Sequence, residues 1–167
     1  RFMEQTELLT SQHVRLLTRA VNQSAAGRAV QSARELREAA AAALYGRLDG
    51  HSPSAADIRV LERHFISASR HRELRWAQSA RGSKERSALA WGWGRFGTEA
   101  ELPVWILSQA ASDLMLSDEV HRVRACGVET CRWLFLDTSK NHTRRWCNMK
   151  VCGNRVKARR FQARRRE

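Results

Sequence analysis

All four cysteines of this chain lie in its last quarter, as two pairs with the same spacing, Cys126-x4-Cys131 and Cys147-x4-Cys152. Residues 132–146 separate the two pairs. Four thiolates are a complete ligand set for tetrahedral zinc, and two cysteine pairs around a short insert are typical of structural zinc sites. The spacing within each pair is wider than the commonest zinc spacing, so generic motif counting is only moderately specific here.

Three other interpretations of the cysteines stay open at this point. Two disulfides need an oxidising compartment, and no charged-then-apolar leader opens the chain. An iron–sulfur cluster also takes four cysteines and would make the protein a redox sensor, although the spacing matches none of the ferredoxin patterns. Cysteines without metal would pack as small apolar side chains. We expect a structural zinc ion, Zn²⁺, closed by four ligands and therefore without an open catalytic position.

The positive charge is concentrated in the same region. Residues 121–167 hold 14 Lys or Arg and three acidic residues, which gives +11 of the net charge of +13. Residues 1–120 carry 16 basic and 14 acidic groups, only +2. This asymmetry is typical of a nucleic-acid-binding module joined to a nearly neutral domain, with a solubilising tail or a patch for anionic membranes as the alternative. We therefore divide the chain into domains 1–120 and 121–167.

The upstream domain is predicted to be mainly helical, because apolar residues recur every three or four positions. The most apolar stretch, from Leu102 to Leu116, is interrupted by polar residues, so we expect no membrane span and a cytoplasmic protein. The first predicted helix is capped by Thr10 or Ser11 and ends at the polar run 22–24, and the second runs from about 28 to 48 and is stopped by Gly50. A third helix runs from Ser54 to about 69 with Ile58 inward. A fourth helix starts at Pro103 with Ala110 inward, and a short fifth helix runs from Ser117 through Val123.

Residues 72–96 change to a period of two around the segment Arg81–Lys84, which predicts a β-hairpin or small sheet. We expect Trp76, Trp91, Trp93 and Trp105 to pack in the core, because each tryptophan buries a large area. The upstream histidines, His64 and His71 among them, are interpreted as solvated surface residues. No phosphate loop or paired carboxylates occur there, and no Cys-His pairing lies outside the terminal cluster, so we expect no enzyme.

The cysteine region itself predicts a treble-clef-like zinc finger. Residues 133–136 form an apolar strand, residues 137–142 a turn and residues 143–146 the partner strand. A helix then runs from about 148 to 166, with Met149, Cys152, Val156 and Phe161 facing the metal. About 45 residues cannot bury enough apolar surface alone, so metal binding would supply folding free energy. The expected fold class is α+β, mainly α: a helical N-terminal domain with a small hairpin, then the finger with its basic C-terminal helix.

A family resemblance rests on residues 126 to about 165. Its motifs are Cys131-Arg132-Trp133-Leu134-Phe135-Leu136-Asp137-Thr138-Ser139, Arg144-Arg145-Trp146-Cys147-Asn148-Met149 and Cys152-Gly153-Asn154-Arg155. This stretch resembles the CGNR zinc finger family, named for the last tetrapeptide. The upstream region, in residues 34–39 and 110–124, is similar to the ABATE-like domain of putative stress-induced bacterial transcription regulators. The resemblance implies a DNA-binding transcription regulator.

The basic helix would enter the major groove of double-stranded DNA, with arginines on guanine and on phosphates. RNA-binding or ribosome association is the alternative, favoured if Trp133 or Trp146 is exposed for base stacking. Arg155 could instead brace the zinc knuckle. We also expect a homodimer, since one small finger seldom gives enough specificity, and an unknown small-molecule ligand of the upstream domain. The predicted nucleic-acid contacts are Arg144, Arg145, Lys150, Arg155, Lys157, Arg159, Arg160 and Arg164.

Overall fold

Capping residues set the ends of the upstream helices. Thr10 starts the first helix by accepting a hydrogen bond from the N–H of His13 at 3.2 Å. Ser54 and Asp57 form a capping box at the start of the third helix. Gly50, with φ of +80°, follows the end of the second helix. In this computed structural model, which describes residues 8–77, 88–94 and 99–165, the helices are α1 (Ser11–Ala20), α2 (Gln23–Asp49), α3 (Ala55–Arg70) and α4 (Leu102–Met115).

Helix α2 begins at Gln23 and not near residue 28, so the prediction of its start is wrong. The Asn22 side chain accepts a hydrogen bond from the N–H of Ala25 at 2.8 Å, which makes Asn22 the N-cap. The polar run 22–24, predicted as the end of the first helix, is thus the cap and first turn of the second. The helix therefore begins at its capping side chain and not where the apolar stripe begins, at Ala29.

The core of the first part of the chain lies where α1, α3 and α4 meet. Leu17, Ala68, Trp105 and Ile106 are buried there together with Leu9 and Leu102. Two predicted orientations on helices are wrong, since Ile58 and Ala110 are exposed.

His64 is buried in α3, in contrast to the prediction of a solvated surface histidine. It lies one turn after the buried Leu61 and one turn before the buried Ala68, so it faces the core with them. Burial lowers the pKa of His64, and the neighbouring Arg63 lowers it further. His71 stacks on Trp105 with ring centroids 3.6 Å apart. His71 remains exposed, as predicted, although its ring packs on Trp105.

The predicted hairpin is present as β1 (Arg72–Ala77) and β2 (Ala88–Trp93), which pair antiparallel. Its predicted loop, Arg81–Lys84, lies outside the described residues. Trp105 is buried and Trp93 packs against the core, as predicted. Trp76 and Trp91 are 63% and 59% exposed, so their assignment to the core is wrong. The alternating sequence pattern indicates that the two tryptophans share one face of the hairpin, but it does not indicate whether other residues cover that face.

The cysteine region contains a second two-stranded sheet. A 3-10 turn (Asp118–Arg122) leads into β3 (Val123–Ala125), which pairs antiparallel with β4 (Leu134–Leu136). The predicted fifth helix therefore ends before Val123. The predicted partner of the 133–136 strand is also wrong, because residues 143–146 form no strand. Pairing with β3 brings Cys126 beside the turn that holds Cys131, which pairing with residues 143–146 would not do.

The last helical segment begins at Met149, close to the predicted start, but its first turn is π-helical. A π-helical turn (Met149–Gly153) precedes α5 (Asn154–Arg164), and Asn148 caps the turn by accepting a hydrogen bond from Val151 N–H at 3.1 Å. Cys152 is buried and Val156 is partly buried against it, as predicted. Met149 and Phe161 are exposed, so their predicted inward orientation is wrong.

The described residues divide into two units. The first comprises residues up to Ala41 and Ser54–Ser112, and the second comprises Ala42–Pro53 and the residues from Asp113 onward. The second unit therefore takes in the last turns of α2 in addition to the predicted domain 121–167. The whole is α+β and mainly α, as predicted. Within the described ranges, no helix is long and apolar enough to cross a membrane.

Candidate metal centre

The four cysteines converge at one point of the second unit. Their sulfur atoms all lie within 4.8 Å of one another. Cys147 Sγ lies 3.7 Å from Cys131 Sγ and 3.7 Å from Cys152 Sγ. A Zn–S distance near 2.3 Å places neighbouring sulfurs of a tetrahedron about 3.8 Å apart, so this arrangement fits a zinc ion. It does not fit disulfides, whose sulfurs are about 2.05 Å apart.

Secondary structure brings each pair of ligands together. The N–H of Cys126 donates to Trp133 O at 2.9 Å, which extends the β3–β4 ladder to the first ligand. A turn then returns the chain, with Cys131 N–H donating to Val128 O at 2.8 Å. In the second pair, Cys152 N–H donates to Asn148 O at 2.9 Å within the π-helical turn. Cys126 and Cys152 are buried, which shields the centre from water.

The thiols differ in how readily they ionise. Burial raises the pKa of Cys126, but backbone N–H groups of Cys147 and Val128 hydrogen-bond its sulfur, as do the thiols of Cys147 and Cys152, and the pKa falls to about 7. Burial raises the pKa of Cys152 to about 12 and also raises that of Cys147. The Cys126 sulfur is thus ready to bind a cation at neutral pH, whereas zinc must displace protons from Cys147 and Cys152.

Asp137 is a buried carboxylate that the sequence prediction treated only as part of a turn. Its oxygens accept hydrogen bonds from Ser139 N–H at 3.0 Å, Ser139 Oγ at 2.6 Å and Arg144 N–H at 2.9 Å. Arg124 Nε lies 3.4 Å from Asp137 Oδ2. The Ser139 hydroxyl is the largest cause that lowers the pKa of Asp137. Asp137 therefore ties the end of β4 to the segment that leads into the second cysteine pair.

Arg144 braces that segment with its side chain. Its Nε donates to Trp146 O at 2.9 Å and its Nη2 donates to Cys147 O. Its guanidinium carbon lies 4.8 Å from the centroid of the Phe135 ring. Arg145 differs, since its guanidinium lies over Trp146, 5.6 Å from the ring centroid. Of the two predicted phosphate contacts, Arg144 therefore holds the segment of the second cysteine pair through its hydrogen bonds, while its side chain is exposed.

Arginines also gather in a cleft of about 340 Å³ on the second unit. Arg124, Arg144 and Arg145 line it, together with Leu48 and Thr143. Arg124 was not among the predicted contacts, because a position inside a strand gives no signal that it faces a cleft.

The end of α2 completes the second unit. Tyr45 Oη donates to Arg132 O at 2.7 Å, one residue after the ligand Cys131. Arg132 Nη2 lies 3.0 Å from an oxygen of Asp49, and its guanidinium lies 5.5 Å from the centroid of the Tyr45 ring. Nothing in the spacing of the cysteines indicates these contacts, because their partners are more than 80 residues apart in sequence.

The remaining predicted contacts form an exposed basic surface on the π-helical turn and α5. Within the described part of the chain, no hydrogen bond or ion pair is formed by their side chains, that of Arg155 included. Arg166, which continues the helical sequence, lies outside the described residues. The members of this basic surface are Lys150, Arg155, Lys157, Arg159, Arg160 and Arg164.

The described residues of the first unit include a cleft suited to a small apolar ligand. A cleft of about 570 Å³ lies between α1, α2 and α4. Apolar side chains line it, with the exception of Thr18. Its lining includes Leu17, Val21, Val30 and Leu107.

The chemistry of the centre is that of a structural zinc site. All four ligand positions are filled by cysteine, so no position remains for a substrate or an activated water. A search of the curated proteins finds no match to this chain. The family model of the CGNR zinc finger matches residues 122–165, the segment that contains the four cysteines, Asp137, Arg144 and the whole of α5.

Proposed function

We propose that this protein is a DNA-binding transcription regulator of the bacterial cytoplasm, not an enzyme, in which structural zinc positions a basic helix on duplex DNA. The observation that carries the proposal is the basic surface. Its six cations are exposed and have no anionic partner among the described residues, whereas elsewhere in the second unit Arg122, Arg124 and Arg132 have one. Unpaired cations on one short helix favour a polyanion as partner.

The placement of zinc supports the same role. The last ligand, Cys152, lies directly before α5, which begins at Asn154. The metal therefore fixes the start of the helix relative to the β3–β4 ribbon. A helix that is fixed in this way can enter a major groove with its arginines already directed, which lowers the entropy lost on binding.

Salt dependence tests the electrostatic part of the proposal. We expect six phosphate contacts to give a slope of about −5 in a plot of log affinity against log salt, measured by fluorescence anisotropy with the zinc-loaded protein. Replacing Arg159 and Arg160 with Gln should reduce this slope by about two. The matched control replaces Arg15 and Arg19, exposed arginines of α1, and should leave it unchanged. A wild-type slope near zero would refute the proposal.

Sequence selection tests the regulatory part. Genomic fragments captured by the zinc-loaded protein should share a short motif, and a palindromic motif would also indicate a two-fold symmetric dimer. Equal capture of all duplexes would leave a non-specific DNA-binding protein and contradict regulation.

RNA is a second candidate partner because Trp133 is 69% exposed. An exposed tryptophan beside arginines can stack on an unpaired base. Trp146, by contrast, is partly buried against the cysteines. If RNA is the partner, a single-stranded RNA should bind more tightly than a duplex DNA of equal length, and Trp133→Ala should remove the difference. A preference for the duplex supports the leading proposal.

In the proposed regulator, the upstream unit would receive the regulatory signal. We propose that it is similar to the ABATE-like domain and that a small apolar molecule binds in the cleft between α1, α2 and α4. Calorimetric titration with short aliphatic and aromatic compounds tests this assignment, with Val30→Gln as the variant that should abolish binding.

A further inference from the structure

One face of the β1–β2 hairpin carries large apolar side chains that remain exposed. Directly opposite residues of an antiparallel pair lie on the same face, and alternate residues of a strand do too. Leu74 pairs with Trp91, and Trp76 pairs with Leu89. All four side chains are more than half exposed. At the base of the same face, Trp93 packs against the core, so the apolar face continues outward from the interior.

The opposite face of the hairpin carries small and charged side chains. Arg75 lies across the strand at Gly92, where an added Cβ would come within 2.9 Å of Arg75 Cδ. Arg75 also forms an ion pair with Glu73 at 2.7 Å. This face is therefore small and polar, as expected for a surface in contact with water. The contrast between the two faces is the pattern of a sheet with one wet and one covered side.

A two-stranded hairpin is marginally stable in water and depends on packing of its apolar face. Within the described residues, the two outer pairs of this face have no such packing. Isolated apolar residues are normal on a protein surface, but two exposed tryptophans on one short ribbon form part of a contiguous apolar patch. Contiguous patches of this kind mark interaction sites.

The arrangement of the four side chains is self-complementary. The tryptophans occupy two diagonal corners and the leucines occupy the other two. A two-fold axis parallel to the sheet and midway between the two faces, along or across the strands, would place each tryptophan of one copy against a leucine of the other. Large side chains thus meet smaller ones, which allows the faces to interdigitate about 10 Å apart.

We propose that this hairpin face packs against the same face of a second copy of the chain. The four side chains offer roughly 450 Å² per copy at their present exposure. Two copies would bury about 900 Å², which is below the roughly 1,200 Å² of stable interfaces and corresponds to a weak, reversible dimer. Such a dimer is independent of DNA binding, although it would suit a two-fold operator.

Other occupants fit the face less well. Unpaired bases stack on aromatic rings, but the two leucines offer no such surface. Arg72 contacts the edge of the face, with its guanidinium 4.9 Å from the centroid of the Trp91 ring. No other basic side chain lies among the described residues of this face, so an anionic membrane finds little charge to attract it.

Sedimentation equilibrium of the full-length, zinc-loaded chain tests the dimer. We expect the average mass to rise from monomer toward dimer between about 1 and 100 µM. The variant Trp76→Thr with Leu89→Thr keeps strand propensity and should weaken dimerisation at least tenfold. Trp133→Thr, which removes an exposed tryptophan of the other unit, is the matched control and should dimerise like the wild type.

A measurement on the wild type guards against misfolding of the variant. In a mixture of isotope-labelled and unlabelled protein, nuclear Overhauser effects between copies should connect the Trp91 indole to leucine methyl groups. A wild type that stays monomeric at 100 µM, or a double variant that still dimerises, would overturn the proposal. The proposal would also be overturned if the wild type stayed monomeric and its tryptophan emission shifted to the blue when anionic vesicles or RNA were added. That shift would mean that another partner covers the face.

Discussion

Arg144 and Arg145 are adjacent arginines with different roles. Arg144 donates to the carbonyl oxygens of Trp146 and Cys147, whereas the guanidinium of Arg145 lies over the Trp146 ring. We predict that Arg144→Gln weakens zinc binding by roughly 10–100-fold, because groups that orient metal ligands contribute that much. Arg145→Gln should leave zinc affinity unchanged and weaken DNA binding. Competition with a chelator measures the first effect, and equal losses in both variants would contradict these roles.

The Asp137 carboxylate should matter more than its place in a turn indicates. Asp137→Asn replaces one acceptor oxygen with an NH₂ group, so either the Ser139 bonds to Oδ1 or the Arg144 bond to Oδ2 must be lost. We predict a lower midpoint of thermal unfolding for the second unit in the zinc-loaded protein. Asp118→Asn, a change at an exposed acid, is the control and should have no effect. Equal midpoints for the two variants would show that the buried carboxylate does not stabilise the finger.

Zinc affinity should depend steeply on pH. The thiols of Cys147 and Cys152 have raised pKa values, so they bind protons throughout the neutral range, whereas Cys126, with a pKa of about 7, is partly ionised. Zinc releases these protons, and its affinity must therefore rise with pH. From pH 8 to pH 6 we expect the apparent affinity to fall by about 100-fold or more per pH unit. Chelator competition across this range would contradict the assignment if affinity stayed constant.

At the scale of the element, the end of α2 belongs structurally to the finger. Tyr45 is the only tyrosine of the chain, so fluorotyrosine labelling gives a single NMR signal at this contact. Removing zinc should shift that signal, because the hydroxyl of Tyr45 bonds to Arg132, the residue after a zinc ligand. If the signal did not change when zinc was removed, Tyr45 would lie outside the finger. Tyr45→Phe should destabilise the unit by about 1 kcal/mol in denaturant titrations.

The sequence predicts elements well where a local cause decides them. Thr10, Ser54 and Gly50 determine helix ends through hydrogen bonds and φ angles within a few residues, and all three predictions are confirmed. The strand partner of residues 133–136 was predicted wrongly because Val123 was assigned to the end of a helix. The nearer segment 143–146 was chosen, although the finger uses Val123–Ala125.

The same distinction applies to the site. The four zinc ligands follow from residue type and spacing, and the structure brings their sulfurs together. Asp137, Arg124 and Tyr45 were missed because each acts through a partner that sequence does not locate. Trp76 and Trp91 were correctly recognised as apolar but wrongly placed in the core, since a hairpin sequence does not reveal which of its faces is covered.

At the scale of the whole molecule, charge and metal lie in the same unit. The second unit holds the cysteines and the basic surface, and the first holds the apolar core and the hairpin. A small unit of this kind depends on metal for folding. We therefore predict that removing zinc leaves the far-ultraviolet signal of α1, α3 and α4 largely intact while the second unit unfolds. Amide hydrogen exchange, read separately for the two units, checks this outcome.

The central claim is that zinc positions α5 on duplex DNA, and the most direct test is DNA affinity as a function of zinc. A duplex obtained by selection and an unrelated competitor are titrated with protein that is zinc-loaded, zinc-free and then reloaded. We predict that the loaded protein discriminates between the two duplexes, that the zinc-free protein loses this discrimination, and that reloading restores it. Unchanged discrimination after zinc removal would contradict the claim.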